Sequence, residues 1–243
     1  MDRSLNGSRV VVIGASSGMG YESALLFARE GARVMASARR EDRLNQLRNG
    51  LAAEACAIET FPADTRDASQ MLKLARQTKE KFGGIDTLVY ATGTNTPDRA
   101  LTRLNPAVWN DLIATNLTGA YYAADAVLPI MREQKSGLMI FISSISAYIP
   151  DVSGAAYQAS KRGLHGLAHA IRFEERGNGI RTTILAPGFT DTEILRHRLV
   201  QPTPEQLAKA LRPEDVARMV LAIASLPARV QVPEVQMQPA EQG

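Results

Sequence analysis

At 243 residues, with 45% hydrophobic and 22% charged side chains, the chain holds enough apolar material for one sizeable core and too little for a membrane protein. Its formal net charge of +3 comes from Lys and Arg scattered along the chain, which excludes the one-sided basic face that nucleic-acid binding needs. The lone Cys56 excludes an internal disulfide, and polar residues 1–8 lead straight into a strand with no secretory segment, so a cytoplasmic location and no membrane partner are expected.

Strand-like and helical stretches alternate from end to end. Arg9–Ile13 reads as a first strand, followed by a glycine turn and an amphipathic helix over Gly18–Glu30. Gly31-Ala32 ends that helix, and Arg33–Ser37 is the second strand. A charged helix from Glu41 to about Ala53 precedes a third strand near Ala57–Phe61. Ser69–Lys81 is helical, Gly83-Gly84 closes it, and Asp86–Tyr90 is the fourth strand. One long helix is predicted over Pro106–Met131, a fifth strand over Gly137–Ile142, a helix over Tyr157–Arg176 and a sixth strand ending at Ala186. Val230–Pro239 alternates enough for a last edge strand, where Pro233 is tolerable. Strands apolar on both faces and separated by helices predict an α/β fold: one doubly wound parallel sheet (a Rossmann fold) with helices on both faces, as a single domain over 1–243. The proline-bearing stretch at about 188–212 is expected to be a substrate loop or lid.

The first strand runs into Gly14-Ala15-Ser16-Ser17-Gly18-Met19-Gly20. A strand-to-helix turn offers backbone N–H groups and the positive end of a helix dipole to one spot, which suits a pyrophosphate. Glycine at 14, 18 and 20 permits the tight turn and close approach of a dinucleotide. Ser37-Ala38-Arg39-Arg40 then closes the second strand with arginines. An NAD-binding fold places there a carboxylate for the adenosine ribose. A guanidinium pairs instead with a 2′-phosphate, so NADP(H) is the expected cofactor.

Tyr157 and Lys161 stand at i and i+4, on one face of a helix. A free phenol is too weak an acid near neutrality, and a neighbouring ammonium favours phenolate, making Tyr157 a workable general acid or base. Ser144 falls at the carboxyl end of the fifth strand, where an open α/β sheet binds its ligands, and its hydroxyl can donate to a substrate oxygen.

With these residues in place, the chain resembles the short-chain dehydrogenase/reductase family over essentially its whole length. The glycine turn matches the family's cofactor motif. Ser144, Tyr157 and Lys161 match its active-site residues in order and spacing, Asn116 its helix asparagine, Asp64 its aspartate after strand three, and Pro187-Gly188 its turn after strand six. The resemblance implies that Tyr157 transfers the proton, that Ser144 polarises the carbonyl, and that Lys161 lowers the Tyr157 pKa and holds the nicotinamide ribose. Asn116 would anchor a relay water through a helix irregularity. Asp64 would contact the adenine, and Thr190 and Thr192 the carboxamide and nearby phosphates. Two departures stand out: Tyr90-Ala91-Thr92-Gly93 replaces the usual Asn-Asn-Ala-Gly, keeping Gly93 beside the cofactor, and Val235–Pro239 replaces an Asp-Gly-Gly tail. A homodimer or homotetramer, packed through the two long helices, is carried over by analogy.

The expected activity is therefore NADP(H)-dependent interconversion of a small-molecule ketone or aldehyde with its alcohol. A 3-ketoacyl-carrier-protein reductase and a non-catalytic dinucleotide sensor are the alternatives. His165 and His169 have a metal-friendly spacing but no third ligand in view, so no metal is expected. Arg196-His197-Arg198, in the expected lid, reads first as a solvated helix face, with recognition of an anionic substrate as the alternative.

Overall fold

A computed structural model describes residues 5–54, 56 and 58–242 of the chain. Among these residues the backbone forms seven strands: β1 (Arg9–Ile13), β2 (Arg33–Ala38), β3 (Ile58–Pro62), β4 (Thr87–Tyr90), β5 (Gly137–Ile142), β6 (Ile180–Pro187) and β7 (Glu234–Met237). They make one sheet in the order β3-β2-β1-β4-β5-β6-β7, every neighbouring pair parallel. The helices are α1 (Gly18–Arg29), α2 (Glu41–Ala53), α3 (Ala68–Phe82), α4 (Pro106–Ile113), α5 (Gly119–Gln134), α6 (Ala155–Glu175), α7 (Pro204–Ala208) and α8 (Pro213–Ser225).

The two-residue period of β1 divides the core. Val11 and Ile13 face the cluster built on α3, α5 and α6, while Val10 and Val12 face the one built on α1, α2 and α8. The five inner strands, β2, β1, β4, β5 and β6, are therefore buried on both faces, which is why their sequence runs are largely apolar, while the edge strands β3 and β7 stay partly exposed. From β1 the chain winds outward to β3, then returns to β4 on the other side. That reversal opens a crevice at the carboxyl ends of β1 and β4. Among the described residues no helix is long and apolar enough to cross a membrane.

Four expectations change. The long helix over Pro106–Met131 is split by a π-helical turn at Ala114–Thr118, an irregularity at Asn116 of the kind the family resemblance implied, and runs on to Gln134. Such a turn inserts one residue into the i→i−4 ladder and has no signal in apolar spacing. The third strand is Ile58–Pro62, and Ala57 lies outside the described residues. The last strand is only Glu234–Met237; Pro233, which cannot donate to a ladder, sits just before it. Finally, the 188–212 stretch is not bare loop. It carries a 3-10 turn at Glu193–His197 and α7, whose Thr203 and Gln206 form a reciprocal capping box.

Candidate active site

Six strand ends meet at a crevice of about 590 Å³, within the range of small-molecule sites. Gly14 follows β1, Arg39 and Arg40 follow β2, Asp64 follows β3, Gly93 follows β4, Ser144 follows β5, and Pro187-Gly188 ends β6; all line it. Ser16, Ser17, Gly18, Met19, Tyr157, Lys161, Thr190 and Thr192 line it too. Gly20 and Asn116 lie behind it, fully buried.

The glycine turn is dictated by its neighbours. Gly14 has φ +93°, and a Cβ there would stand 2.8 Å from the Ala91 carbonyl carbon. A Cβ on Gly20 would overlap the carbonyl oxygen of Gly14. Ser17 caps α1 in extended conformation without a side-chain bond to the helix, so the first-turn N–H groups of α1 lack a side-chain cap. The two arginines after β2 separate here. Arg40 donates to Ser17 Oγ at 2.6 Å and Ser16 Oγ at 3.0 Å, and pairs with Glu193 at 2.9 Å. Arg39 is exposed with no hydrogen-bond partner among the described residues. Asp64 is also engaged: Arg66 contacts it at 2.6 Å, and that guanidinium holds the Asp64 carboxyl below the usual range.

The four residues expected to act together do converge. Lys161, buried on α6, donates from Nζ to the Ile142 carbonyl at 2.9 Å and lies 5.8 Å from the centroid of the Tyr157 ring. A Cβ on Gly93 would come within 3.0 Å of Lys161 Nζ, so this glycine keeps the ammonium's surroundings open. Asn116 sits in the π turn. Its Oδ1 accepts from Thr94 N at 2.8 Å, while its Nδ2 donates to Thr94 O at 3.0 Å and to Ser160 Oγ at 3.0 Å. It thereby clamps the chain after β4 onto α6. The Tyr90 hydroxyl donates to the Thr115 carbonyl at 2.6 Å inside the sheet. This ties β4 to the π turn at the place where the usual asparagine is missing.

In the cofactor-free chain the Tyr157 phenol is raised, not lowered. Burial pushes the Tyr157 phenol up to about 12, with Ser144, Arg198 and Arg99 pulling the other way, and burial pushes the Lys161 ammonium down to about 8. No Lys161 hydrogen bond reaches the phenol; the ammonium's bond goes to Ile142. Desolvation therefore outweighs the attraction that the i, i+4 spacing suggested. Ser144 is also occupied, in a chain absent from the sequence reading. Its hydroxyl donates to Ser146 Oγ at 3.0 Å, and Ser146 Oγ donates to Asp151 at 2.5 Å. Thr190 is buried and donates to the Gly188 carbonyl at 3.0 Å, and Thr192 Oγ1 reaches Thr190 O at 3.4 Å.

Behind the site, Glu234 of β7 accepts from Tyr148 at 2.6 Å and lies 2.9 Å from His169 Nε2 and 3.5 Å from His165 Nδ1. His165 Nε2 is 3.1 Å from Ser143 Oγ, which donates to the Lys161 carbonyl at 3.0 Å. Glu234 is thus the partner that histidine spacing could not reveal. Among the described residues no cluster of three metal-ligating groups forms. Burial, only partly offset by Glu234, holds the His165 imidazole below its ordinary 6.5. The unfolded chain therefore takes up this proton first as pH falls, and stability is lost below about pH 6.5, a window above that of the carboxylates. Melting temperature measured across that window should fall for the native chain and stay flatter in His165→Asn.

Among the charged residues at the crevice, Arg99 had no signal, being a single charge in irregular chain. Glu193 and Arg198 fall in the stretch expected to be the lid, but no short-range pattern pairs Glu193 with Arg40. Within Arg196-His197-Arg198 the first two are exposed, as a solvated face requires, while Arg198 is half-buried against Phe189.

Comparison with known proteins gives the same outline. A family model described as short chain dehydrogenase matches residues 8–202. An uncharacterized oxidoreductase of Staphylococcus aureus (strain MRSA252) is 32% identical over 229 residues, 94% of this chain and 96% of that protein. A metagenomic short-chain oxidoreductase in complex with NADP is 30% identical, with a TM-score of 0.84 over 98% of this chain and 99% of the other. A variant of actinorhodin polyketide ketoreductase with NADPH is 26% identical, with a TM-score of 0.88 over 98% of each chain.

Proposed function

The chain belongs to the short-chain dehydrogenase family, and from that membership we propose that it is an NADPH-dependent reductase of a small ketone or aldehyde, reversible as an alcohol dehydrogenase. The family makes it an oxidoreductase that binds a nicotinamide dinucleotide. The observation that carries the finer reading is the convergence of Ser144, Tyr157, Lys161 and the Asn116 clamp at the carboxyl ends of β4 and β5. The residues present fit the cofactor. Gly14 and Gly20 leave a cradle that a Cβ would fill, the first-turn N–H groups of α1 lack a side-chain cap, and Arg39 is available for a 2′-phosphate. Gly14, Ser16, Ser17, Gly18, Met19 and Gly20 would hold the pyrophosphate. Lys161, Gly93, Pro187, Gly188, Thr190 and Thr192 would hold the nicotinamide end, and Asp64 the adenine. The named complexes of two similar structures with NADP and NADPH support the same choice.

Bound NADPH supplies the hydride. The chain supplies position and a proton. Ser144, still held at Oγ by the Ser146 N–H at 3.2 Å, turns its own proton from Ser146 to the substrate carbonyl. The Tyr157 phenol, whose proton is retained by burial, gives it to the oxygen as charge develops there, which supports the reductive direction. Lys161, poised near neutrality by its own burial, restores that proton through the irregular π turn at Asn116. The 188–212 stretch is the lid, held by Arg40–Glu193 on one side and by Arg99 to the His197 carbonyl on the other. Exposed Trp109, Tyr121 and Phe173 on α4, α5 and α6 support a dimer through these helices.

The structure divides the two arginines after β2, so cofactor choice rests on Arg39. Arg39→Ala should weaken NADPH binding about 10- to 100-fold and NADH binding little, as read by fluorescence titration of both cofactors beside NADPH consumption on a carbonyl panel. Equal losses for the two cofactors, or no turnover of any carbonyl, would overturn the assignment.

A further inference from the structure

Two guanidinium groups stand at the substrate end of the crevice. Arg99, between β4 and α4, and Arg198, in the lid, line it together with Ser144 and Tyr157. Both are half-buried, and neither has a carboxylate within ion-pair distance among the described residues. Arg99 gives Nε to the Thr96 carbonyl at 2.9 Å and Nη2 to the His197 carbonyl, both neutral acceptors. Arg198 places its Cζ 5.0 Å from the centroid of the Phe189 ring. The pair is mutually repulsive: burial first, then Arg198, pushes the Arg99 guanidinium below its ordinary value. Asp151, the carboxylate whose charge reaches Arg99, already accepts from Ser146 Oγ and from Ser153 N and Oγ.

Two like charges partly withdrawn from water, with one carboxylate acting on them only at a distance, cost free energy that a directly bound anion recovers. Both guanidiniums line the same crevice as Ser144 and Tyr157, which lets one small molecule present an anionic group to them and a carbonyl to the phenol. We propose that the substrate is an oxo acid: a carbonyl compound whose carboxylate is held by Arg99 and Arg198 while its carbonyl oxygen meets Ser144 and Tyr157. This rests on the reductase reading above and names its substrate class. Oxo acid, NADPH and one proton give hydroxy acid and NADP+, with the proton leaving Tyr157. A carrier-bound ketoacyl group fits less well. Its phosphate lies many bonds from the reacting carbonyl, at the far end of a pantetheine arm, outside the reach of two cations beside the phenol. Guanidinium suits the task because its planar fork meets a carboxylate bidentately. Arg198 rides on the lid while Arg99 holds the lid's His197 carbonyl, so a carboxylate between them would join the lid to the chain after β4.

The test compares matched pairs with NADPH: phenylglyoxylate, acetoacetate and levulinate, each against its methyl ester. At least one acid should exceed its ester in kcat/KM by about tenfold or more, chiefly through KM. Arg198→Gln should bring that ratio close to one, and Arg198→Glu should reverse it. Arg99→Gln should act in the same direction as Arg198→Gln. Because Arg99 also anchors the lid, the Arg198 variants decide if the Arg99 variant is unstable. Independently of turnover, phenylacetate with NADP+ should raise the melting temperature of the native chain but not of Arg198→Gln. Esters reduced as well as acids, with a ratio unmoved by the Arg198 variants, would overturn the oxo-acid proposal and leave the reductase standing. Turnover of neither acids nor esters, nor of the wider carbonyl panel, would overturn both.

Discussion

Tyr157→Phe should lower kcat for carbonyl reduction by about a thousandfold while leaving NADPH affinity unchanged within about twofold. The substitution deletes one oxygen and keeps the ring beneath Lys161, whose own bond goes to the Ile142 carbonyl and is untouched. In the proposed reading cofactor binding draws on the glycine turn and on the strand ends, so it has no reason to change. Single-turnover NADPH oxidation and a separate binding titration measure the two quantities. The retained proton also makes a pH prediction. With the phenol at about 12 in the cofactor-free chain, Tyr157 stays protonated across the neutral range, so reduction should not fall with rising pH until well above neutrality on account of Tyr157. Lys161, near 8, is the group whose deprotonation should show first. A Tyr157→Phe enzyme within tenfold of native kcat would assign the proton to another donor.

Gly20→Ala should cost about 1–3 kcal/mol of stability and weaken NADPH binding by about a hundredfold or more. The added methyl would overlap the backbone carbonyl of Gly14, and it would also lie 3.2 Å from the Ala91 side chain. The atom it meets is backbone, so relief requires moving the β1–α1 turn itself. In the proposed reading that turn presents the N–H groups that hold the pyrophosphate, and displacing them would remove several charge-assisted bonds at once. Gly50→Ala is the matched control: it lies inside α2 with nothing within 4 Å of the added Cβ. There the substitution should stabilise the chain by about 0.5–1 kcal/mol through helix propensity and leave NADPH binding alone. Thermal melts with and without NADPH read both effects. Parallel behaviour of the two variants would mean that the glycine turn is not the cofactor's cradle.

Much of the site was readable because its parts are local. A glycine turn after a strand, a tyrosine and lysine one helical turn apart, and a serine at a strand end each carry their meaning within a few residues. The charge relations were less readable. The arginines after β2 look equivalent in sequence, but Arg40 folds onto Ser16, Ser17 and Glu193 and leaves Arg39 exposed. Glu193 is far along the chain from Arg40, and no short-range pattern announces the pair. The same holds for Glu234, which reaches His165 and His169 of α6 from β7.

What the sequence determined by itself was the alternation of apolar strands with amphipathic helices, and therefore a parallel sheet covered on both faces with a ligand crevice at its strand ends. Those are consequences of periodicity and of glycine's missing side chain, properties that each residue carries wherever it is placed. Only the tertiary structure decided the desolvation of Tyr157 and Lys161, the engagement of Arg40 by Ser16, Ser17 and Glu193, and the placing of Arg99 and Arg198 on one crevice. Burial and charge pairing depend on distance through space, and the elements that set those distances lie far apart along the chain.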